Sequence, residues 1–377
     1  MVSTQDSDAP NPDGQGPAAQ GPANHDAGRT SPLARTRRSA PGSGAATKHP
    51  GRWLLLIGVL VVGLFPVSLV VGTVDVSFAD AWNAYFDFDA TNTSHLLVRE
   101  VRMPRTVLAI IIGVALGAAG VVMQAITRNP LAEPGLLGVN AGVTFTVAVA
   151  IAYFGFGTLT ASMVFGFLGA GLTGAAVYVL GGVHKGASPV RLVLAGAAVN
   201  VVLLASTRII LVNVDTDVFD RFRTWTVGSL EGRGVELLLP TGGAVLVGFL
   251  IAFALSGALD ASVLGQDLSR ALGANPTVVL SFAALSIIVM CGSATAAAGP
   301  ISFVGLTAPF VGRLLVGLNH RRLIPATALI AAAVVLVADL AGRLIVPSGE
   351  IGVGIMVSLI GAPTFIAIVR RRKIAQL

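Results

Sequence analysis

The sequence predicts an all-α membrane protein: about ten transmembrane helices behind a disordered N-terminal tail. Three observations carry that expectation. Of the 377 residues, 54% are hydrophobic and only 12% charged, with a mean hydropathy of +0.80. A soluble domain carries about 25% charged residues, and half that share cannot cover a water-exposed surface of this size, so an apolar solvent is required. Apolar runs of spanning length then recur along the chain beyond residue 52, and the charges between them alternate in sign from one presumptive side to the other.

Residues 1–52 are rich in Pro, Gly, Ala, Ser and Asp, with almost no large apolar side chain. Such a segment cannot bury enough surface to offset its ordering entropy and is expected to be disordered. Its basic end, 35–52, precedes the first apolar run, "WLLLIGVLVVGLFPVSLVVG". Ser77, Phe78 and Ala79 resemble a small-x-small cleavage site, but the apolar core exceeds the roughly 7–15 residues of a signal peptide, which favours a retained helix.

Nine further helices are expected at 104–126, 135–154, 159–180, 190–212, 235–256, 277–296, 303–318, 323–346 and 352–369. Ten spans put both ends of the permease domain, 53–373, on one side. With that side cytoplasmic, the inner segments hold the basic tail, Arg128, Lys185, Arg191, Arg270, His320–Arg322 and Arg370–Lys373. The outer ones hold Asp75, Asp80, Asp87, Asp89, Asp215, Asp217 and Asp220. This is the positive-inside bias of a plasma-membrane protein with cytoplasmic termini. Arg99, Arg102, Arg105, Arg221, Arg223 and Arg233 run against it on the outer side. Trp53 is expected at the inner interface, and Trp82 and Trp225 at the outer one.

Glycine-rich runs such as "GVALGAAG", "GFLGAGLTG" and "GGAVLVG" fall inside the spans, where small residues let helix backbones approach. No G-x-x-x-x-G-K-[ST] occurs, so the chain carries no Walker site of its own. One cysteine, Cys291, excludes an intrachain disulfide or a Cys-based zinc site and is expected to pack as a small apolar residue. "NPLAEPGLLGVNAG" after the second helix and "GPISFVGLTAPFVG" after the seventh are faintly similar and lie on opposite sides, as an inverted repeat would place them.

Ionisable residues within the spans are few: Arg208, Arg313, Asp339 and Arg343. Asp339 and Arg343 lie four apart on one helix and can pair, as a structural ion pair or as part of a site. An ion-coupled secondary transporter usually shows several buried acids. An intramembrane lipid-processing enzyme needs a nucleophile with a base, or a metal motif, yet none of the five histidines falls mid-span and no H-E-x-x-H occurs. Energy is therefore expected to come from another subunit.

"VRMPRTVLAIIIGVALGAAGVVMQAITRNPLAEPGLLGVNAG", "WTVGSLEGRG" and the long C-terminal block from "GPISFVGLTAPFVGR" to "RRRK" occur in that order and resemble the FecCD-type permeases. These are membrane subunits of ABC importers for iron–siderophore complexes, haem and cobalamin. The resemblance covers about 53–373 and implies a type II importer permease fold, like that of the cobalamin importer. It implies two such subunits per pore, this chain twice or a paralogue. It also implies two cytoplasmic ATPases holding ATP and Mg²⁺, and an extracytoplasmic substrate-binding protein. No cofactor or metal is expected on this chain.

Residue by residue, Arg102, Arg105 and Arg343 match positions that face the binding protein, with Asp339 orienting Arg343. The match places the turn 128–138 near the cytoplasmic mouth of the pathway, and Asn129 and Leu131 are expected to project from it towards the second subunit and help close an inner gate. Leu264, Gly265, Leu272 and Gly273 match the coupling helices, here 258–275, that seat in the ATPase. Two departures stand out. Phe310 replaces the histidine of Pro-His-x-x-Arg, and Gly352 replaces the proline of Glu-x-Pro-x-Gly. The function implied is the permease subunit of an importer for ferric siderophores, with cobalamin or haem as the alternative cargo.

Overall fold

The computed structural model describes residues 50–155, 158–183, 188–263, 275–346 and 349–370. Ten principal helices cover the ten expected segments. They are α1 (Pro50–Val70), α4 (Met103–Thr127), α5 (Val139–Phe154), α6 (Leu159–Leu180), α7 (Pro189–Val212) and α9 (Leu238–Ala254), followed by α11 (Pro276–Ala298), α12 (Val304–Val316), α13 (His320–Ile345) and α14 (Val353–Arg370). Seven are long and apolar enough to cross a membrane; α5, α12 and α14 contribute shorter apolar stretches. Short helices the sequence pattern did not single out are α2 (Phe78–Phe86), α3 (Thr93–Leu96) and α8 (Thr216–Thr226), while α10 (Ser256–Val263) covers the start of the expected 258–275 segment.

Local chemistry explains several boundaries. Ser77, Asn92, Thr158, Ser188 and Asn275 each accept a backbone N–H from the first turn of the helix they precede, the usual N-cap arrangement. The helix expected at 104 is extended backward through α3 and a wide turn, Leu97–Arg102, in which the Met103 N–H reaches back to Val98 O. A five-residue loop of this kind relieves the clash that Pro104 would cause in a regular helix.

Burial separates core helices from peripheral ones. In both α4 and α13, 78% of the apolar window is buried, against 22% for α1 and for α7. The first pair therefore forms the axis of the bundle, while α1 and α7 keep an apolar face for lipid or another subunit. The axis is tight because α4 presents glycines to its neighbours. A Cβ at Gly113 would lie 2.4 Å from Ala332 Cα of α13, and one at Gly120 would lie 2.1 Å from Gly305 O of α12. Only glycine fits such approaches, and dispersion across them is what packs helices in lipid. By contrast, nothing lies within 4 Å of a Cβ at Gly243.

The two ends of the bundle differ. At one, here the hub end, α1 and α13 finish and α4 starts. At the other, the turn end, α4 finishes beside α10 and the starts of α7 and α11. Neither α5 nor α12 starts at an end. Gly138, just before α5, lies against Gly196, seven residues into α7, and Gly305 of α12 lies against Leu116 and Gly120 of α4. The segments 128–138 and 299–303 therefore re-enter the bundle, the first from the turn end and the second from the hub end. This is the inverted-repeat pattern of transporters: long α4 then short α5, and long α11 then short α12. The two similar sequence motifs occupy these segments and touch one another.

Trp225 departs from its expected interfacial place. It is 5% exposed and packs 6.3 Å from the Phe222 ring, because α8 turns its only large apolar face inward. Trp53 and Trp82 are exposed. Cys291 is buried yet not purely apolar in its contacts: its Sγ lies 3.2 Å from Asn140 Oδ1, which also accepts from Thr295 Oγ1 at 2.9 Å.

Candidate functional site

At the turn end, "RNPLAEPGLLG" begins where α4 stops. Arg128 takes a left-handed backbone (φ 50°, ψ 34°) as the C-cap. This costs a non-glycine residue on the order of 1–3 kcal/mol unless its surroundings hold it. Its guanidinium reaches the Ser262 carbonyl on α10 at 2.7 Å. Asn129 folds the next turn itself: its Oδ1 accepts the Leu131 N–H at 2.9 Å, and its carbonyl accepts the Ala132 N–H at 3.1 Å. Asn129 and Leu131 are exposed and Ala132 is buried, so both expected gate residues project from the bundle beside a rigid foot.

Beyond that foot the segment enters the core. Glu133 Oε1 accepts the backbone N–H of Phe303 at 3.0 Å. Phe303, the residue before α12, also has left-handed backbone (φ 69°). Gln124 of α4 bonds weakly to the Gly305 and Leu306 carbonyls, at 3.5 and 3.4 Å, and accepts Arg313 Nη2. A second nitrogen of Arg313 is buried without a partner. Phe310, at the position of the family's histidine, is half-buried.

At the hub end, three arginines converge. Arg105 binds Asp339 through Nε (3.0 Å) and Nη2 (2.8 Å), and Glu350 through Nη1 (2.5 Å). Arg343 Nη2 donates to the other oxygen of Asp339, and its Nη1 donates to Ser68 O at 2.9 Å. Arg102 donates to Leu69 O (2.8 Å), Val70 O (2.6 Å) and Val74 O. Two guanidiniums thus cap the carbonyl end of α1, where the helix dipole favours cations. Ser68 Oγ and Thr106 Oγ1 lie 2.8 Å apart beneath them. The cluster ties α1, α4, α13 and the stretch before α14 together.

Arg102, Arg105 and Arg343 are 4%, 6% and 3% exposed, and their hydrogen-bond partners lie within this chain, while Arg343 Nε is buried without a partner. A buried guanidinium is costly unless paired, and the local carboxylates and carbonyls supply most of that pairing. The Asp339–Arg343 pair does form, but as part of a larger group. Glu350, Ser68, Thr106, Gln124 and Asn140 belong to these networks and carried no role in the sequence reading. Arg105 and Asp339 are 234 positions apart, so no local spacing could have joined them.

Elsewhere, Arg233, between α8 and α9, is buried with Nη1 unpartnered, and burial pushes its guanidinium down to about 10. His320 Nδ1 meets Asp260 of α10 at 2.6 Å. Leu264, Gly265, Leu272 and Gly273 lie outside the described residues. No group of three or more His, Cys, Asp or Glu is placed to hold a metal among the described residues. An open cleft of about 540 Å³ lies beside α14, where Thr226, Ser302 and Ser358 share the lining with apolar Val227, Ile355 and Leu359.

Comparison with known proteins places this architecture. Residues 59–371 match the FecCD transport family. The chain is 40% identical to the ferric enterobactin transport system permease protein FepD of Escherichia coli (strain K12), over 88% of this chain and 98% of that one. It is 34% identical to the probable siderophore transport system permease protein YfiZ of Bacillus subtilis (strain 168), over 86% and 98%. A solved chain described as an inward-facing metal-chelate type ABC transporter superposes with a TM-score of 0.75, at 28% identity, covering 85% of this chain and 99% of its own. With a family match across nearly all of the helical bundle, the chain belongs to the FecCD transport family.

Proposed function

We propose that this chain is the membrane permease of an ATP-driven importer for ferric siderophores. The observation that carries the reading is the 40% identity to a ferric enterobactin permease over 88% of the chain. In this reading the turn end faces the cytoplasm, with both ends of the helical bundle, and the hub end faces outward. A separate ATPase pair holds ATP and Mg²⁺ and engages 258–275 through Leu264, Gly265, Leu272 and Gly273. An extracytoplasmic binding protein delivers the chelate at the hub end. The three arginines support that docking from beneath: they pin the loops that form the rim, while exposed Arg99 and Arg221 offer the charge a partner can reach.

Two permease subunits, this chain twice or with a paralogue, enclose the pathway. The cleft beside α14 supports such a route because it is open and its mixed hydroxyl and apolar lining carries no charged side chain to hold a bulky chelate. Affinity then resides in the binding protein, and the permease alternates its openings. Asn129 and Leu131, exposed at the turn end, form the inner gate with their counterparts in the second subunit.

The test is reconstitution of the full importer in proteoliposomes, with radioactive iron delivered as the siderophore that the cognate binding protein retains. Uptake should require ATP hydrolysis and survive a protonophore. Uptake that persists without ATP and collapses with the protonophore would sink the proposal in favour of a secondary transporter. Retention of cobalamin or haem by the binding protein would change the cargo but not the mechanism.

A further inference from the structure

The two re-entrant segments meet at one side-chain hydrogen bond. Glu133 Oε1 accepts the Phe303 N–H at 3.0 Å, across 170 positions of sequence. Both segments carry a backbone that an ordinary side chain resists. Among the described residues only Arg128 and Phe303 combine a side chain with positive φ. Arg128 opens the first segment and Phe303 closes the second. Such conformations persist only where the surroundings impose them, and they gather at switch regions.

The chain on each side of this bond is stiff. From Glu133 back to the exposed pair, the Asn129 side chain and carbonyl hold the Leu131 and Ala132 N–H groups. Forward from Glu133, its own carbonyl accepts the Leu136 N–H at 3.0 Å, and the Pro134 ring sits so close to Gly305 that a Cβ there would lie 2.8 Å from Pro134 Cδ. On the far side, the Phe303 carbonyl accepts the Thr307 N–H at 2.9 Å and the Thr307 hydroxyl at 2.8 Å, starting α12. A displacement of Asn129 and Leu131 has no slack to absorb it before Glu133. It passes to the first turn of α12.

We infer that Glu133 is the positioning residue that couples the gate turn at 128–133 to α12, so that the inner gate and the second re-entrant helix move as one unit. The inference rests on the reading of Asn129 and Leu131 as the inner gate. Glu133 touches no substrate in this account; it acts through Phe303.

The assembled importer tests it, reading substrate moved per ATP hydrolysed. Glu133→Gln keeps an oxygen acceptor for the Phe303 N–H and should transport with near-normal coupling. Glu133→Leu removes the acceptor and should hydrolyse ATP while moving about tenfold less substrate per ATP, within the usual range of coupling between sites. Phe303→Gly adopts positive φ freely but restores no bond to position 133, so E133L/F303G should stay uncoupled. A purely structural role for Glu133, holding the strained backbone of Phe303, predicts instead that the ATPase rate, assembly and transport fall together in E133L and that F303G restores them. If E133L does not assemble, Glu133→Ala, which adds no apolar bulk, is read in the same way.

Wild-type coupling in E133L, or recovered coupling in E133L/F303G, overturns the inference. The gate reading has its own arm. L131C should form a disulfide across two subunits at a rate that changes with ATP, and that response should vanish in the E133L background. Failure of L131C to cross-link in the otherwise unaltered importer would refute the gate, while the contrast between E133Q and E133L still reports on Glu133.

Discussion

Replacing Asp339 with alanine removes the carboxylate that Arg105 and Arg343 share. Asp339 is 1% exposed, and its two arginine partners are almost as deeply buried. Two guanidiniums would be left without their principal counter-charge. Breaking a buried pair by deleting one partner costs about 3–5 kcal/mol, mostly as the penalty of the stranded charge. At about 2–4 °C per kcal/mol for a protein of a few hundred residues, the loss is roughly 6–20 °C in unfolding midpoint. Glu350→Gln is the internal control. That side chain is 18% exposed, and the substitution leaves Arg105 paired with Asp339 and keeps an oxygen acceptor, so it strands no charge and should cost less.

Thermal unfolding of the purified permease in lipid nanodiscs, followed by tryptophan emission, should therefore rank Asp339→Ala well below Glu350→Gln. Removing the four linked charges together, R105M with D339L, R343M and E350Q, should recover most of the midpoint, because no member of these pairs is then left as a stranded charge. Equal midpoints for the two single variants, or a quadruple variant no better than D339A, would refute the buried-charge argument.

Three further outcomes are expected. Gly120→Ala drives a methyl to 2.1 Å from Gly305 O and should cost about 1–3 kcal/mol as overpacking. Gly243→Ala meets nothing within 4 Å and should be neutral or stabilise by about 0.5–1 kcal/mol; paired melting curves check both. Gln124→Leu takes away the partner of Arg313 Nη2 and should lower the midpoint, whereas Q124L with R313M should restore it. Burial depresses Arg233 to about 10, so between there and its ordinary value the unfolded chain binds the extra proton and stability rises with pH. Below that window the folded state carries a buried charge whose Nε donates to Ser229 O at 3.1 Å while Nη1 has no partner, so Arg233→Met should raise the midpoint at neutral pH, and a lower midpoint would show that the Ser229 bond outweighs the burial.

Helix number and type were legible because lipid leaves a spanning segment little choice: a backbone without water must bond to itself, and length and hydropathy then mark each span. The wide turn at Leu97–Arg102 was not, since a proline in a helical pattern normally reads as a start. Asp339 and Arg343 could be paired by their four-residue spacing, but the sharing of Asp339 with Arg105 could not. Trp225 shows the limit of the interface rule: an aromatic near a helix end goes to lipid or to the core according to which neighbour covers it.

By itself the sequence determined the solvent, the ten helices, their alternating direction and the family. Each follows from local composition or from contiguous motifs, which need no knowledge of distant parts of the chain. Only the tertiary structure decided which arginines are free and which are spent, and where "RNPLAEPGLLG" goes. Burial and partnership depend on residues 170 to 234 positions away, joined by close helix crossings rather than by any local pattern. Arg102, Arg105 and Arg343 form a buried hub for that reason, and a polar turn became one half of a contact between two re-entrant segments.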